Sequence, residues 1–151
     1  MEIRWKNDEG GFTMRAAALV LRNGHALFAK SDGHDCYYTI GGGVCQNEDS
    51  EAAVLRECFE ETGCRLTVER LVFVQERFYT AQQLPRHEVT FYYLMKDSAC
   101  LPGNGMATDR SDEHLFWLPV EKLESVNVVP AFLRTALQNL PTETLHIISR
   151  E

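Results

Sequence analysis

The segment Arg56-Glu57-Cys58-Phe59-Glu60-Glu61 sets three carboxylates and a guanidinium almost side by side in the chain. A helix advances about 100° per residue, so positions 57, 60 and 61 share one side. Like charges at that spacing repel by about 0.2–0.5 kcal/mol per pair. Glu60 and Glu61 also precede Thr62-Gly63, an expected helix end, where the macrodipole disfavours anions. Folding alone asks for none of this, whereas a bound cation does. Oxygen-only donors in this number suit a hard divalent ion, Mg²⁺ first and Mn²⁺ second. Such an ion takes phosphate oxygens as further ligands and acidifies a bound water.

The elements that must carry these groups are legible on either side. Asp49 or Ser50 caps the expected helix and Gly63 ends it. On the helical wheel Ala52, Leu55 and Phe59 lie opposite Glu57, with Cys58 flanking them, which predicts one apolar and one anionic face. Upstream, Phe12 to Leu21 reads as a strand, weakened by Ala16-Ala17-Ala18. Asn23-Gly24 signals a two-residue hairpin, and His25 to Lys30 returns as its partner strand. Cys36 to Ile40 is expected as a short strand entering Gly41-Gly42-Gly43, a run that suits a tight turn and a close backbone approach to metal or phosphate.

Downstream, Leu66 to Tyr79 holds one or two strands, Ala81 to Arg86 an exposed loop, and Glu88 to Met95 another strand. Asp97 to Asp112 turns polar and Gly-rich, the composition of a mobile loop over a site. Leu115 to Leu118 is a short strand, and Pro119 opens a helical turn through Leu123. Pro130 starts a C-terminal helix ending near Leu140, and Thr144 to Ile148 adds a last strand. Strands interleaved with two helices predict a mixed α/β sandwich formed by one domain over residues 1–151.

Composition narrows the function classes. With 44% hydrophobic and 25% charged residues the chain is ordinary for a globular domain. A net charge of −7 argues against a nucleic-acid coat, yet permits a phosphorylated small molecule held through metal ions. No apolar run is long enough to span a bilayer, and Met1 to Lys6 lacks the apolar core of a signal peptide. A cytoplasmic location is the resulting expectation. Cys36, Cys45, Cys58, Cys64 and Cys100 form no zinc pattern and are expected as reduced thiols, several of them core fillers.

Read in full, Gly42, five residues, Glu48, seven residues, then Arg56-Glu57-Cys58-Phe59-Glu60-Glu61-Thr62-Gly63-Cys64 resembles the Nudix box of the Nudix hydrolase superfamily. Every Gly, Glu and Arg position of that box is filled. Its two bulky-aliphatic positions hold Cys58 and Cys64, small hydrophobes expected to loosen packing without loss of chemistry. The resemblance implies a Nudix-like α/β/α sandwich with a mixed β-sheet. It also implies a Mg²⁺-dependent hydrolase that cleaves a diphosphate linkage in a nucleoside diphosphate derivative or nucleoside triphosphate. Two alternatives stand beside it: hydrolysis of a non-nucleotide diphosphate, and a catalytically silent domain that senses a nucleotide.

Residue by residue, the resemblance makes Glu57, Glu60 and Glu61 metal ligands, with Glu57 also binding or deprotonating the attacking water. Arg56 would orient Glu48 or Glu57 by charge-assisted hydrogen bonds. The Gly41 carbonyl would complete the shell, and a distal glutamate would join it, Glu113 first and Glu88 second. Lys30, Arg77 and Arg86 flank site-facing loops and could hold a phosphate. Tyr37, Tyr38, Phe78 and Tyr79 could stack on a base or pack in the sheet. His87 and His114 are expected on the surface and Trp117 in the core. The expected partner is a small diphosphate compound, with a homodimer as the assembly frequent among such proteins.

Overall fold

The computed structural model describes residues 1–105, 108 and 111–151. Among the described residues eight strands form a mixed sheet: β1 (Arg4–Asn7), β2 (Gly10–Arg22), β3 (His25–Ser31), β4 (Ile40–Gly43), β5 (Val68–Ala81), β6 (Leu84–Met95), β7 (Glu113–Pro119) and β8 (Leu145–Arg150). The order is β7-β3-β2-β6-β5-β8, with β1 and β4 both paired to β2. The β2–β6 and β5–β8 pairs are parallel and the others antiparallel. Helix α1 (Ser50–Thr62) covers one face over Ala16, Ala18, Val20 and Tyr93. The 3-10 turn Val120–Ser125 and helix α2 (Leu133–Ala136) cover the other over Ala17, Leu19, Phe73 and Tyr92. The expected α/β/α sandwich around a mixed sheet is what the chain forms. Among the described residues no helix is long and apolar enough to cross a membrane.

Alternation along β2 explains the two cores. Successive side chains point to opposite faces, so Ala16 and Ala18 join one cluster while Ala17 and Leu19 join the other. The Ala run that weakens the strand pattern in sequence is the part that meets the Gly run: Ala16 pairs with Gly42 and Ala17 with Gly41. A Cβ at Gly41 would lie 2.3 Å from the Ala16 carbonyl oxygen. Small residues on both strands permit that approach. Gly41–Gly43 is therefore strand, not turn, and the expected strand at Cys36 to Ile40 reduces to isolated bridges of Tyr37 to Val128 and Tyr38 to Ala29.

Other departures have local causes. Gln82 and Gln83 adopt positive φ of 53° and 66° between paired Ala81 and Leu84, so the expected loop at Ala81 to Arg86 is a tight hairpin. Its sequence lacks the Asn or Gly that usually marks such turns. Lys6 Nζ donates to Gln82 Oε1 at 3.1 Å and braces it. Strand β1 escapes notice because all four of its residues are exposed and show no apolar alternation. The expected helix from Pro130 to Leu140 holds only Leu133–Ala136, because i→i−3 turns at Leu133, Arg134 and Gln138 replace α-helical bonding at its ends. His87 is half-buried, stacked on Phe78 at 4.3 Å between centroids, rather than a surface residue. Trp117 packs at the core edge with its Nε1 donating to the Pro102 carbonyl at 2.8 Å. The expected mobile loop at Asp97 to Asp112 lies partly outside the described residues.

The thiols also need correcting. Cys64, at the end of α1, is disulfide-bonded to Cys100, with Cα atoms 5.8 Å apart, while Cys36, Cys45 and Cys58 are free. No local pattern announces this pairing, because the return of the chain after β6 brings together residues 36 positions apart. A cross-link closing a loop of that length stabilises by up to about 4 kcal/mol through the unfolded state. Thiol labelling of denatured, unreduced protein should modify three cysteines, rising to five after reduction, and reduction should lower the melting temperature. Labelling of five thiols without reductant would refute the cross-link.

Candidate active site

Helix α1 begins where Asp49 accepts from the Ala52 N–H at 2.7 Å and ends at Gly63, whose φ of 73° places it in the left-handed region. Its buried positions are Ala53, Val54, Glu57, Cys58 and Thr62. Glu57 thus shares the inward stripe with the apolar residues, which overturns the expected division into an apolar and an anionic face. Positions 53, 57 and 61 are successive i, i+4 neighbours, so a stripe that buries Ala53 carries Glu57 inward too. Phe59, expected on the apolar face, is 43% exposed and lies under the Arg65 guanidinium.

Glu57 tolerates burial for two reasons. Its carboxylate rests on Gly42, where a Cβ would approach it to 2.4 Å. Only glycine leaves that space. Arg56 Nη1 donates to Glu57 Oε1 at 2.8 Å and offsets part of the desolvation cost. Burial nonetheless pushes the Glu57 carboxyl above its ordinary range, with Arg56 opposing the rise.

Arg56 is the hub of the site. Nε and Nη2 form a fork on Glu48 Oε1 and Oε2 at 2.8 and 3.0 Å. Nη2 also donates to the Gly43 carbonyl at 3.0 Å. The sequence leaves Glu48 and Glu57 as alternative partners of Arg56; the structure gives it both. A weaker contact reaches Glu60 at 3.4 Å. Glu48 further accepts from the Cys45 N–H at 2.9 Å. The Arg56 hydrogen bonds, aided by the Cys45 N–H, hold the Glu48 carboxyl down at about 2.

Around Glu57 opens a cleft of about 340 Å³. Glu61, Glu113 and Gly41 line it, as do Gly42, Tyr38 and Arg15. The Gly41 N–H donates to Glu61 Oε2 at 3.3 Å. Glu113 begins β7 and is 1% exposed; the Tyr38 hydroxyl and Thr108 Oγ1 donate to its carboxylate. Of the two distal glutamates, Glu113 lines the cleft. Glu88 does not: it is buried on β6 at 3.9 Å from Arg15 and 4.0 Å from Arg77. Glu60 also stands outside the cleft, on the exposed side of α1.

Four lining residues escape the sequence reading: Glu2, Arg4, Thr13 and Arg15. Glu2 lies against Gly43, where a Cβ would come within 2.6 Å of its carboxylate, and pairs with Arg4 at 3.0 Å. No motif marks them. They reach the site because β1 and β4 pair end to end along one edge of β2.

The donor set fits a hard divalent cation: carboxylates of Glu2, Glu57, Glu61 and Glu113, all oxygen, in one polar cleft. Among the described residues no three His, Cys, Asp or Glu side chains are drawn tightly enough together to enclose an ion by themselves.

A NUDIX domain model matches residues 12–140 of the chain. Among curated proteins no relative was found. The fold is similar to that of a MutT NUDIX hydrolase from Burkholderia pseudomallei, at 24% identity over 89% of this chain and 90% of that one, with a TM-score of 0.61. A MutT protein from Bacillus halodurans is 14% identical over 91% and 89% of the two chains, with a TM-score of 0.66. An ADP-ribose pyrophosphatase from Streptococcus suis is 11% identical over 90% and 98%, with a TM-score of 0.58. At these identities the likeness is one of fold.

The depressed Glu48 carboxyl makes the hub measurable. Its folded value of about 2 lies below the ordinary 4.5, so the ion pair stabilises fully above about pH 4.5 and the contribution is lost as pH falls towards 2. Glu48→Gln should cost about 1–3 kcal/mol at neutral pH. It should also flatten the acid limb of denaturant-derived stability between those two pH values. Wild type and variant running parallel through that window would show that Glu48 carries no such linkage.

Proposed function

This chain belongs to the Nudix hydrolase superfamily, and on that premise we propose that it hydrolyses a phosphoric anhydride in a nucleoside diphosphate derivative or nucleoside triphosphate, using Mg²⁺ or Mn²⁺. The observation that carries the proposal is the Glu57 carboxylate seated on Gly42, tethered by Arg56 and sharing a cleft with Glu61 and Glu113. A divalent cation bound there supplies neutralisation of the diphosphate and acidification of a water. Glu57, Glu61 and Glu113 would hold it, with Gly41 contributing backbone and Glu60 entering from the rim.

The chain's own residues then have separable tasks. Arg56 fixes Glu57 through one oxygen and Glu48 through two, so the carboxylate keeps its orientation as charge moves in the cleft. Held in place by Arg56, Glu57 would take a proton from the attacking water. The water oxygen bonds to phosphorus, the P–O bond of the anhydride breaks, and its electron pair leaves with the second phosphoryl half. Arg4 and Arg15 line the same cleft and would offset the negative charge that accumulates on the phosphoryl oxygens. Glu48 touches no substrate in this scheme and acts by positioning Arg56.

A panel of nucleoside triphosphates, nucleoside diphosphate derivatives and non-nucleotide diphosphates, assayed with Mg²⁺ or Mn²⁺ and with products identified, tests the reading. Turnover of at least one nucleotide class is expected. Glu57→Gln keeps the shape and removes the charge, so turnover should fall by about 10²–10⁴ while thermal unfolding stays cooperative. Wild-type rates in that variant would sink the mechanism. Nucleotide binding without any product would show a sensor instead.

A further inference from the structure

A second cleft of about 380 Å³ adjoins the carboxylate cleft, and Arg4 and Thr13 line both. Register explains its content. On the sheet face that carries Arg15, the row Thr13–Glu88–Arg77 is followed by the row Lys6–Gly11–Arg86–Tyr79, read across β1, β2, β6 and β5. Arg4, Lys6, Gly11, Thr13, Tyr79 and Arg86 meet there, and no Asp or Glu lines the cleft among the described residues. In a chain with 22 acidic and 15 basic residues, a cleft holding three cations and no acid runs against the overall charge.

Arg86 is the focus. Gly11 lies opposite it in register, and a Cβ at Gly11 would come within 2.7 Å of Arg86 Nη1, so the guanidinium lies flat on the bare strand. That Nη1 is buried, and among the described residues nothing accepts a hydrogen bond from it. With Nη1 covered by the strand, an anion entering the cleft would meet Arg86 through the part of the side chain that lines it. The planar fork of a guanidinium matches phosphate oxygens. Lys6 Nζ spends one contact on Gln82 and retains further protons for the same anion. Tyr79 forms the floor, its ring clasped by Arg77 at 4.2 Å.

We propose that this cleft is an anion subsite that selects substrates bearing a further phosphate group remote from the anhydride to be cleaved. The idea rests on the reading of the carboxylate cleft as the reaction centre, and it deepens that reading by naming the substrate class. Distance agrees: Gly11 is four strand residues from Arg15, roughly 13 Å at ~3.3 Å per residue, far enough for a sugar between the two phosphate sites. Arg4, shared by both clefts, bridges them.

The test uses three compounds: a nucleoside diphosphate sugar, the same compound with a phosphate ester on its nucleoside ribose, and the same compound with the ester on its distal sugar. One phosphorylated form should show a KM at least about tenfold below the parent at similar kcat. Arg86→Ala should erase that advantage while leaving the KM of the parent within about twofold. Arg86→Lys should restore part of it, and Lys6→Ala, at an exposed site, should weaken it without disturbing the fold. A phosphorylated advantage that survives Arg86→Ala, or no advantage for either form, overturns the subsite. If no compound is turned over, the proposed reaction fails separately, and calorimetry on metal-free Glu57→Gln protein still decides. Tighter binding of a phosphorylated form that vanishes on adding Arg86→Ala supports the subsite, and equal affinities refute it.

Discussion

The fork that Arg56 makes on Glu48 is the constraint on which the site depends. One guanidinium ties the loop before α1 through Glu48, strand β4 through the Gly43 carbonyl, and the helix itself through Glu57. These segments have separate structural origins, and their relative placement decides where the carboxylates stand. Only arginine offers enough donors in a fixed plane to serve all three. A lysine would bring the same charge and lose the geometry.

Glycine does the complementary work. Gly42 admits the Glu57 carboxylate, Gly43 admits Glu2, and Gly41 admits the Ala16 backbone. A Cβ at any of these positions would collide with a neighbour at 2.6 Å or closer. The result is a strand with no side-chain surface, against which acids can be buried beside a helix. The same device recurs at Gly11, which receives the Arg86 guanidinium instead. The sheet thus has two bare spots, one next to acids and one next to bases, joined by Arg4 and Thr13.

Much of the fold was legible because its signals are local. The Asn23-Gly24 hairpin, the Asp49 and Gly63 caps, and the apolar strands β2, β5 and β6 follow from turn chemistry and alternation. What failed was also local in cause. A Gln82-Gln83 turn, an all-exposed β1 and a helix shortened by i→i−3 turns each lack the signal on which sequence reading relies. The wheel placed Phe59 inside and Glu57 outside, since hydrophobicity alone cannot foresee a carboxylate accepted by a glycine strand and an arginine.

The sequence by itself determined the carboxylate array: Gly42, Glu48, Arg56, Glu57, Glu60 and Glu61 lie on one short strand, the loop after it and the helix that follows, and on the helix the geometry follows from 3.6 residues per turn. It also ranked Glu113 ahead of Glu88. Only the tertiary structure brought Glu113, Glu2, Arg4 and Arg15 to the carboxylates, separated Glu60 from the cleft, joined Cys64 to Cys100 and gathered Lys6 and Arg86 into a basic recess. Those outcomes depend on strand pairing between distant segments. No short-range pattern encodes which residue of β1 or β6 will face which residue of β2.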